Sequence, residues 1–138
     1  MSMAKGLLPD DHPQCAASAR SLVLGQADVV MLIGARLNWL LNHGKGKKWN
    51  PDAKFIQLDI CAEEMDSNRE IEAPIVGDIA SSLDLMLCKM EPFNIKCGDA
   101  WMNSINAVKQ VNAEKMQKKL DTSTQPMNYF NALKVVSD

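Results

Sequence analysis

Three short groups of residues hold the chemistry that this sequence offers: Gly34-Ala35-Arg36, Asp59, and Gly77-Asp78. Each lies at the end of an apolar or alternating run, VVMLI, KFIQLDI and PIV, and such runs predict strands. A turn with no bulky side chain at Gly34 or Ala35 lets a phosphate approach backbone N–H groups, and Arg36 brings a forked positive charge to it. Asp59 stands where nucleotide-binding βαβ units place an acidic residue, at the end of the strand after the phosphate turn, to accept a hydrogen bond from ribose. Asp78 follows a strand and a glycine and opens a helix, which puts it near the same edge. Small and acidic residues from three strand ends would then meet at one crevice, an arrangement suited to binding a nucleotide. Plainer readings stand beside this one. Arg36 is also an ordinary surface arginine on a strand–helix connection, and Asp59 an ordinary turn former. The glycine fingerprint of dinucleotide folds is missing, because the pattern starting at Gly44 has Trp49 where its third glycine belongs.

Other polar groups promise less. Glu63, Glu64 and Asp66 in CAEEMDSNR have no histidine nearby, so a solvated turn or short helix is expected there rather than an acid–base or metal site. The four cysteines, Cys15, Cys61, Cys88 and Cys97, form no C-x-x-C pair and read as free thiols. Lys45, Lys47 and Lys48 lie in a loop broken by Gly44, Gly46 and Asn50-Pro51, and a solvated basic loop is the expectation.

The elements that position these groups follow in chain order. Acidic Asp10 and Asp11 ahead of Pro13 predict a helix from about Pro13 to Gln26, with Ala16, Ala19, Leu22 and Val23 inward and Arg20 outside or on a rim. Val29 to Ile33 reads as a strand buried on both faces in mid-sheet. Leu37, Trp39, Leu40 and Leu41 at helical spacing predict a helix stopped by Gly44. Strands at Lys54–Ile60 and Pro74–Val76, a helix over Ala80–Met90 and a linker from Pro92 to Gly98 come next. A long amphipathic helix is expected over Asp99–Leu120, with Trp101, Ile105, Val108, Val111 and Met116 on one face and lysines on the other. A last helix begins around Pro126 and stops at Asp138 with no cap, so the chain reads as cut at both ends.

Composition bounds the function. With 138 residues, 46% of them hydrophobic and 23% charged, the chain can form one soluble domain with a sizeable core. A net charge of -2 gives no pull toward nucleic acid, and the helix lysines lack interleaved aromatics. No apolar run approaches the length of a membrane span and the N-terminus lacks a signal peptide's hydrophobic centre, so an intracellular protein is expected.

The segments KGLLPDDHPQ, GARLNWLL, HGKGK, FIQLDI, EMDSN, APIVGDI and PMNY resemble the central domain of the oxalyl-CoA decarboxylase family of thiamine-diphosphate-dependent enzymes, with 2-hydroxyacyl-CoA lyases a little further off. The likeness covers nearly the whole chain. It implies an α/β fold, a Rossmann-like parallel sheet flanked by helices. Residues 1–91 would be the latter part of the nucleotide-binding central domain, 92–125 a linker with the long helix, and 126–138 the first helix of the pyrophosphate-binding domain. The parent would be a lyase of oxalate catabolism that decarboxylates oxalyl-CoA to formyl-CoA, with thiamine diphosphate as the electron sink and Mg2+ holding it. Both would bind outside this chain, since Gly77-Asp78 and Gly98-Asp99 are followed by Ile79 and Ala100 and do not make the family's G-D-G…N motif. No catalytic residue is expected here. The resemblance further implies ADP as an activator, with Arg36 at its phosphates, Asp59 at the ribose and Asp78 with Ile79 at the adenine. Position matching puts Arg20 and Asn112 on the coenzyme A thioester. The expected partners are the rest of the same subunit and its copies in a homotetramer. The expected compartment is the cytoplasm, or the peroxisome for a eukaryotic parent. A structural spacer with an empty nucleotide site, the central domain of a 2-hydroxyacyl-CoA lyase, and a stand-alone NAD or FAD module are the alternatives.

Overall fold

A computed structural model describes residue 4, residues 6–93 and residues 96–137. The loop expected at Lys5, linker positions 94 and 95 and the terminal Asp138 lie outside the described residues. Three parallel strands, β1 (Val29–Ile33), β2 (Lys54–Asp59) and β3 (Ala73–Val76), form a sheet in the order β1-β2-β3. The register runs Val29↔Lys54 to Ile33↔Leu58 on one side of β2 and Ile56↔Ala73 to Asp59↔Val76 on the other. With helices beside this sheet, the expected α/β class is met.

Placement within the sheet differs from expectation for β1. Among the described residues β2 is central and β1 is an edge, with Val29 and Ile33 exposed at its two ends. An unbroken apolar run marks burial on both faces but does not say how many strands flank it. The central place belongs to the strand whose Phe55, Gln57, Leu58 and Asp59 are all buried. Burial of Phe55 and of Leu58 contributes roughly 1.5–3 kcal/mol each.

The long β1–β2 connection is not the helix its spacing suggested. Trp39–Gly44 is a 3-10 segment interrupted by non-helical backbone at Leu41, Asn42 and His43, the last two at positive φ. Its backbone is held by side chains from elsewhere. The Asn38 side chain accepts from the Leu40 N–H, Trp49 Nε1 donates to the Leu41 carbonyl at 2.9 Å, and Asn68 Nδ2 donates to the Leu37 carbonyl at 2.9 Å. Arg69 pins the same loop, donating to the carbonyls of Gly44, Pro51 and Ala53 at 2.8–2.9 Å while its guanidinium lies 4.5 Å from the centre of the Phe55 ring. Leu32, Leu37, Trp49, Ala53, Phe55 and Ile71 form the core under this loop, and Trp49 tilts against Phe55 at 5.4 Å between ring centres.

The first helix is shorter than expected. A 3-10 turn at Ala17–Ala19 leads into α1 (Arg20–Gln26), and neither start carries a side-chain cap. Pro13 does not seed a helix, since the His12 imidazole takes the Gln14 N–H and the Cys15 N–H closes a turn on the His12 carbonyl. Ala19 is buried as expected. After β3, helix α2 (Ile79–Met90) returns against β2. Helix α3 (Asp99–Asp121) follows closely the expected range, with Asp99 at its start and Lys118 and Lys119 in its last turn, the polarity its dipole favours. Of its expected inner face Ile105 is buried, whereas Val111 and Met116 are exposed. Helix α4 (Tyr129–Ser137) begins where Asn128 Oδ1 accepts the Asn131 N–H, and it packs on α3. All four cysteines are free thiols.

Candidate functional site at the carboxyl ends of the strands

The parallel register brings three of the sequence-selected positions together. The Gly34 N–H continues the ladder beyond β1 by donating to the Leu58 carbonyl at 2.9 Å, and the Gly77 N–H does the same beyond β3 to the Asp59 carbonyl at 3.0 Å. Gly34 and Gly77 therefore flank Asp59 at one edge. At Gly34 the chain turns with φ +55°, and a Cβ there would lie 2.8 Å from the Ile79 Cδ1 atom. The left-handed backbone favours glycine, and a Cβ would also have to push the end of the Ile79 side chain aside. The turn after β1 thus rests on the first residue of α2, which joins Gly34 to Ile79 across the crevice.

Asp59 is 9% exposed, and its Oδ1 accepts the Cys61 N–H at 3.0 Å. This is the turn-forming bond of the plainer reading, and it uses one carboxylate oxygen. The second oxygen, Oδ2, has no hydrogen-bond partner among the described residues and remains available to a ligand donor.

Asp78 caps α2. Its Oδ1 accepts the Ser81 N–H at 2.9 Å and the Ser81 hydroxyl at 2.8 Å, and the backbone bond first and the hydroxyl second hold its carboxyl below its ordinary pKa. The cap uses the side chain that the sequence aimed at a ligand. An Asp with Ser three residues later is itself a local capping signal, and it was the readable one here.

Arg36 lies on the loop after Gly34 and Ala35, not on a helix, so the phosphate-binding helix start expected there is not formed. Its Nε donates to Glu64 Oε1 at 3.1 Å, with the arginine side chain 62% exposed. Glu64 belongs to the 3-10 turn Ala62–Glu64, directly after the residue whose N–H binds Asp59. Sequence reasoning took Glu64 for part of a solvated turn, and no local signal announces a partner so far along the chain. Ala35 is half-buried against the core.

Arg20 and Asn112 stand apart from these residues. Arg20 Nη2 donates to the Leu40 carbonyl at 3.3 Å and lines a cleft of about 440 Å³ with Trp39, Leu41, Lys47, Lys48 and Trp49. Asn112 Nδ2 donates to the Ser18 carbonyl at 2.7 Å, which ties α3 to the turn leading into Arg20, and it lines a second cleft with Lys109, Lys115 and Lys119. The basic loop is therefore less plainly a solvated one than its composition suggested, because Lys47 and Lys48 wall a cleft. Among the described residues no three His, Cys, Asp or Glu side chains are grouped so as to hold a metal ion, and no helix is long and apolar enough to cross a membrane.

The family described as the thiamine pyrophosphate enzyme central domain matches residues 1–86. Oxalyl-CoA decarboxylase of Escherichia coli (strain K12) is 58% identical over 138 residues, covering 100% of this chain and 24% of the relative. 2-Hydroxyacyl-CoA lyase of Oryza sativa subsp. japonica is 39% identical over 138 residues, covering 99% of this chain and 24% of the relative. 2-Hydroxyacyl-CoA lyase 1 of Homo sapiens is 36% identical over 130 residues, covering 93% of this chain and 22% of the relative. The chain thus spans 24% or less of the length of these three curated relatives. A parallel sheet with flanking helices is consistent with this match, and the chain belongs to the thiamine pyrophosphate enzyme family through its central domain.

Proposed function

We propose that this chain is the nucleotide-binding part of a thiamine-diphosphate-dependent lyase that decarboxylates oxalyl-CoA to formyl-CoA, and that its strand-end crevice holds ADP. The observation that carries this reading is the meeting of Gly34, Asp59 and Ile79 at one edge, with Asp59 Oδ2 left for a donor. Asp59 accepts from the ribose hydroxyls, and the Gly34-Ala35 turn, whose Gly34 N–H is committed to the Leu58 carbonyl, brings Arg36 to the phosphates. Arg36 pairs with the phosphates by exchanging its bond to Glu64, a partner it holds only on the surface. Ile79 presents an apolar side chain to the base, and Asp78 keeps the start of α2 in place beside it. The coenzyme A thioester meets the chain at Arg20 and Asn112. The lysines beside each of them, Lys47 and Lys48 for Arg20 and Lys109, Lys115 and Lys119 for Asn112, suit a phosphorylated ligand.

Residues 1–91 are the nucleotide-binding portion, 92–125 link it onward through α3, and 126–138 begin the pyrophosphate-binding domain. Thiamine diphosphate with Mg2+, held by other parts of the subunit, supplies the electron sink for decarboxylation. No step of that reaction is assigned to a residue of this chain, and the chain alone is inactive. The parent acts as a cytoplasmic homotetramer in oxalate catabolism. A second reading, a spacer with no ligand, draws support from the Arg36–Glu64 pair and the Asp59–Cys61 bond, which satisfy these groups internally.

Titration calorimetry of the chain with ADP decides between them. Saturable ADP binding that weakens at least tenfold in Arg36→Ala is expected from the nucleotide reading, since a charged hydrogen bond contributes about 1.5–3 kcal/mol. Binding that ignores Arg36→Ala sinks the phosphate assignment, and no binding by the folded chain leaves the spacer.

A further inference from the structure

Gln57 is a large polar side chain buried at the centre of the sheet. It is 1% exposed, stands between Leu32 and Pro74 in the strand register, and its Nε2 has no hydrogen-bond partner among the described residues. A buried amide donor with no acceptor costs about 1–3 kcal/mol, and an apolar side chain of the same shape would avoid that cost. Leu and Met fill such positions in cores without a polar atom. A buried glutamine whose donor is left without an acceptor calls for a use outside packing.

Strand alternation places that use. Gln57 and Asp59 are two residues apart on β2 and so project from the same face, roughly 6.6 Å apart along the strand. Beside Asp59 on the β1 side the register reaches Gly34, which brings no side chain. Asp59 Oδ1 is committed to the Cys61 N–H, and Oδ2 is not committed. An amide on three soft torsions beneath a half-committed carboxylate can turn its free N–H toward it.

We propose that Gln57 is a positioning residue of the strand-end crevice, its buried amide orienting the Asp59 carboxylate toward the hydroxyls of a bound ribose. The inference rests on the nucleotide reading above and deepens it, since it assigns selectivity for a ribose diol to the Gln57–Asp59 pair. On this proposal Gln57 acts through Asp59 and not on the ligand itself. Its removal therefore weakens what Asp59 does and leaves the phosphate contacts alone.

The test compares ADP with 2′-deoxy-ADP by calorimetry on the chain and on Gln57→Met, with a thermal melt of each. The unaltered chain is expected to prefer ADP. In Gln57→Met the melting midpoint stays level or rises, ADP affinity falls about tenfold, and the preference for ADP over 2′-deoxy-ADP shrinks toward one. A lower midpoint with the preference intact overturns the proposal, because Gln57 is then structural. Gln57→Leu also replaces the buried amide by an apolar side chain and leaves Asp59 without that donor. It is expected to lose the ADP preference as well, and retention of that preference counts against the proposal even where the Met variant does not fold. No ADP binding by the unaltered chain ends the nucleotide reading and this inference with it, whereas binding that loses no selectivity in the variants ends only this inference.

Discussion

The sheet and the helical end of this chain are held together by different forces. Around β2, buried aromatic and aliphatic side chains pack under a loop fastened by Trp49, Asn68 and Arg69. From α3 onward the contacts are largely polar and at most part-buried: Asn112 to the Ser18 carbonyl, Asn131 to the Leu120 carbonyl, Lys134 to Asp121, and Lys119 over the Phe130 ring. Within α3 only Ile105 is buried. Hydrophobic burial sets the stability of the first region, while solvent-screened pairs decide little in the second. The strand-end residues belong to the first region, and the bonds from Asn112 to the Ser18 carbonyl and from Lys109 to the His12 carbonyl tie α3 to the N-terminal segment.

Substitutions separate the two regions. Phe55→Ala removes the ring that touches both Trp49 and Arg69 and is expected to cost about 3–5 kcal/mol in denaturant unfolding. Arg69→Met leaves the carbonyls of Gly44, Pro51 and Ala53 without their donor, and a loss of ~3 kcal/mol is expected, with faster proteolysis between Gly44 and Ala53. A loss as small as that of a surface pair would mean that Trp49 and Asn68 hold the loop without Arg69. Gly34→Ala forces a side chain into left-handed backbone against Ile79 and should cost about 1–3 kcal/mol by the same measurement.

The smallest effects belong to the exposed caps and pairs. Asp78→Ala should fray the first turn of α2, seen as faster amide exchange at Ser81 with a small drop in the melting midpoint. The folded-state pKa of Asp78 is depressed, so its contribution is complete above the ordinary value of 3.8 and is lost as the pH falls through the lower folded value. Lys134→Ala is expected to leave the melt of the sheet unchanged and to speed amide exchange in α4 alone. A shift of the whole transition by that change would contradict the division into two regions.

What the sequence shows and what it hides follow the same division between near and distant causes. β2, β3, α2 and α3 were readable because their signals lie inside the element: alternation, a glycine followed by an aspartate, apolar spacing over many turns. Asp59 and Asp78 were readable as strand-end residues for the same reason. The segment 37–44 carries helical spacing, yet Asn68 and Trp49 hold it in another backbone, and Asn68 lies too far along the chain for a window around the segment to contain it. The edge position of β1 was hidden because an apolar run reports burial and not strand order. The partner of Arg36 was hidden by distance along the chain, and Gln57 by the ordinary alternation it completes.

Backbone amide chemical shifts during an ADP titration test the strand-end site most directly. The largest changes are expected at Gly34, Ala35, Arg36, Cys61, Gly77 and Ile79, with exchange slowed at Gly34 and Cys61 and little change in α4. Changes confined to the Arg20–Trp39–Lys47 cleft, or a spectrum that ADP leaves unmoved, would contradict it.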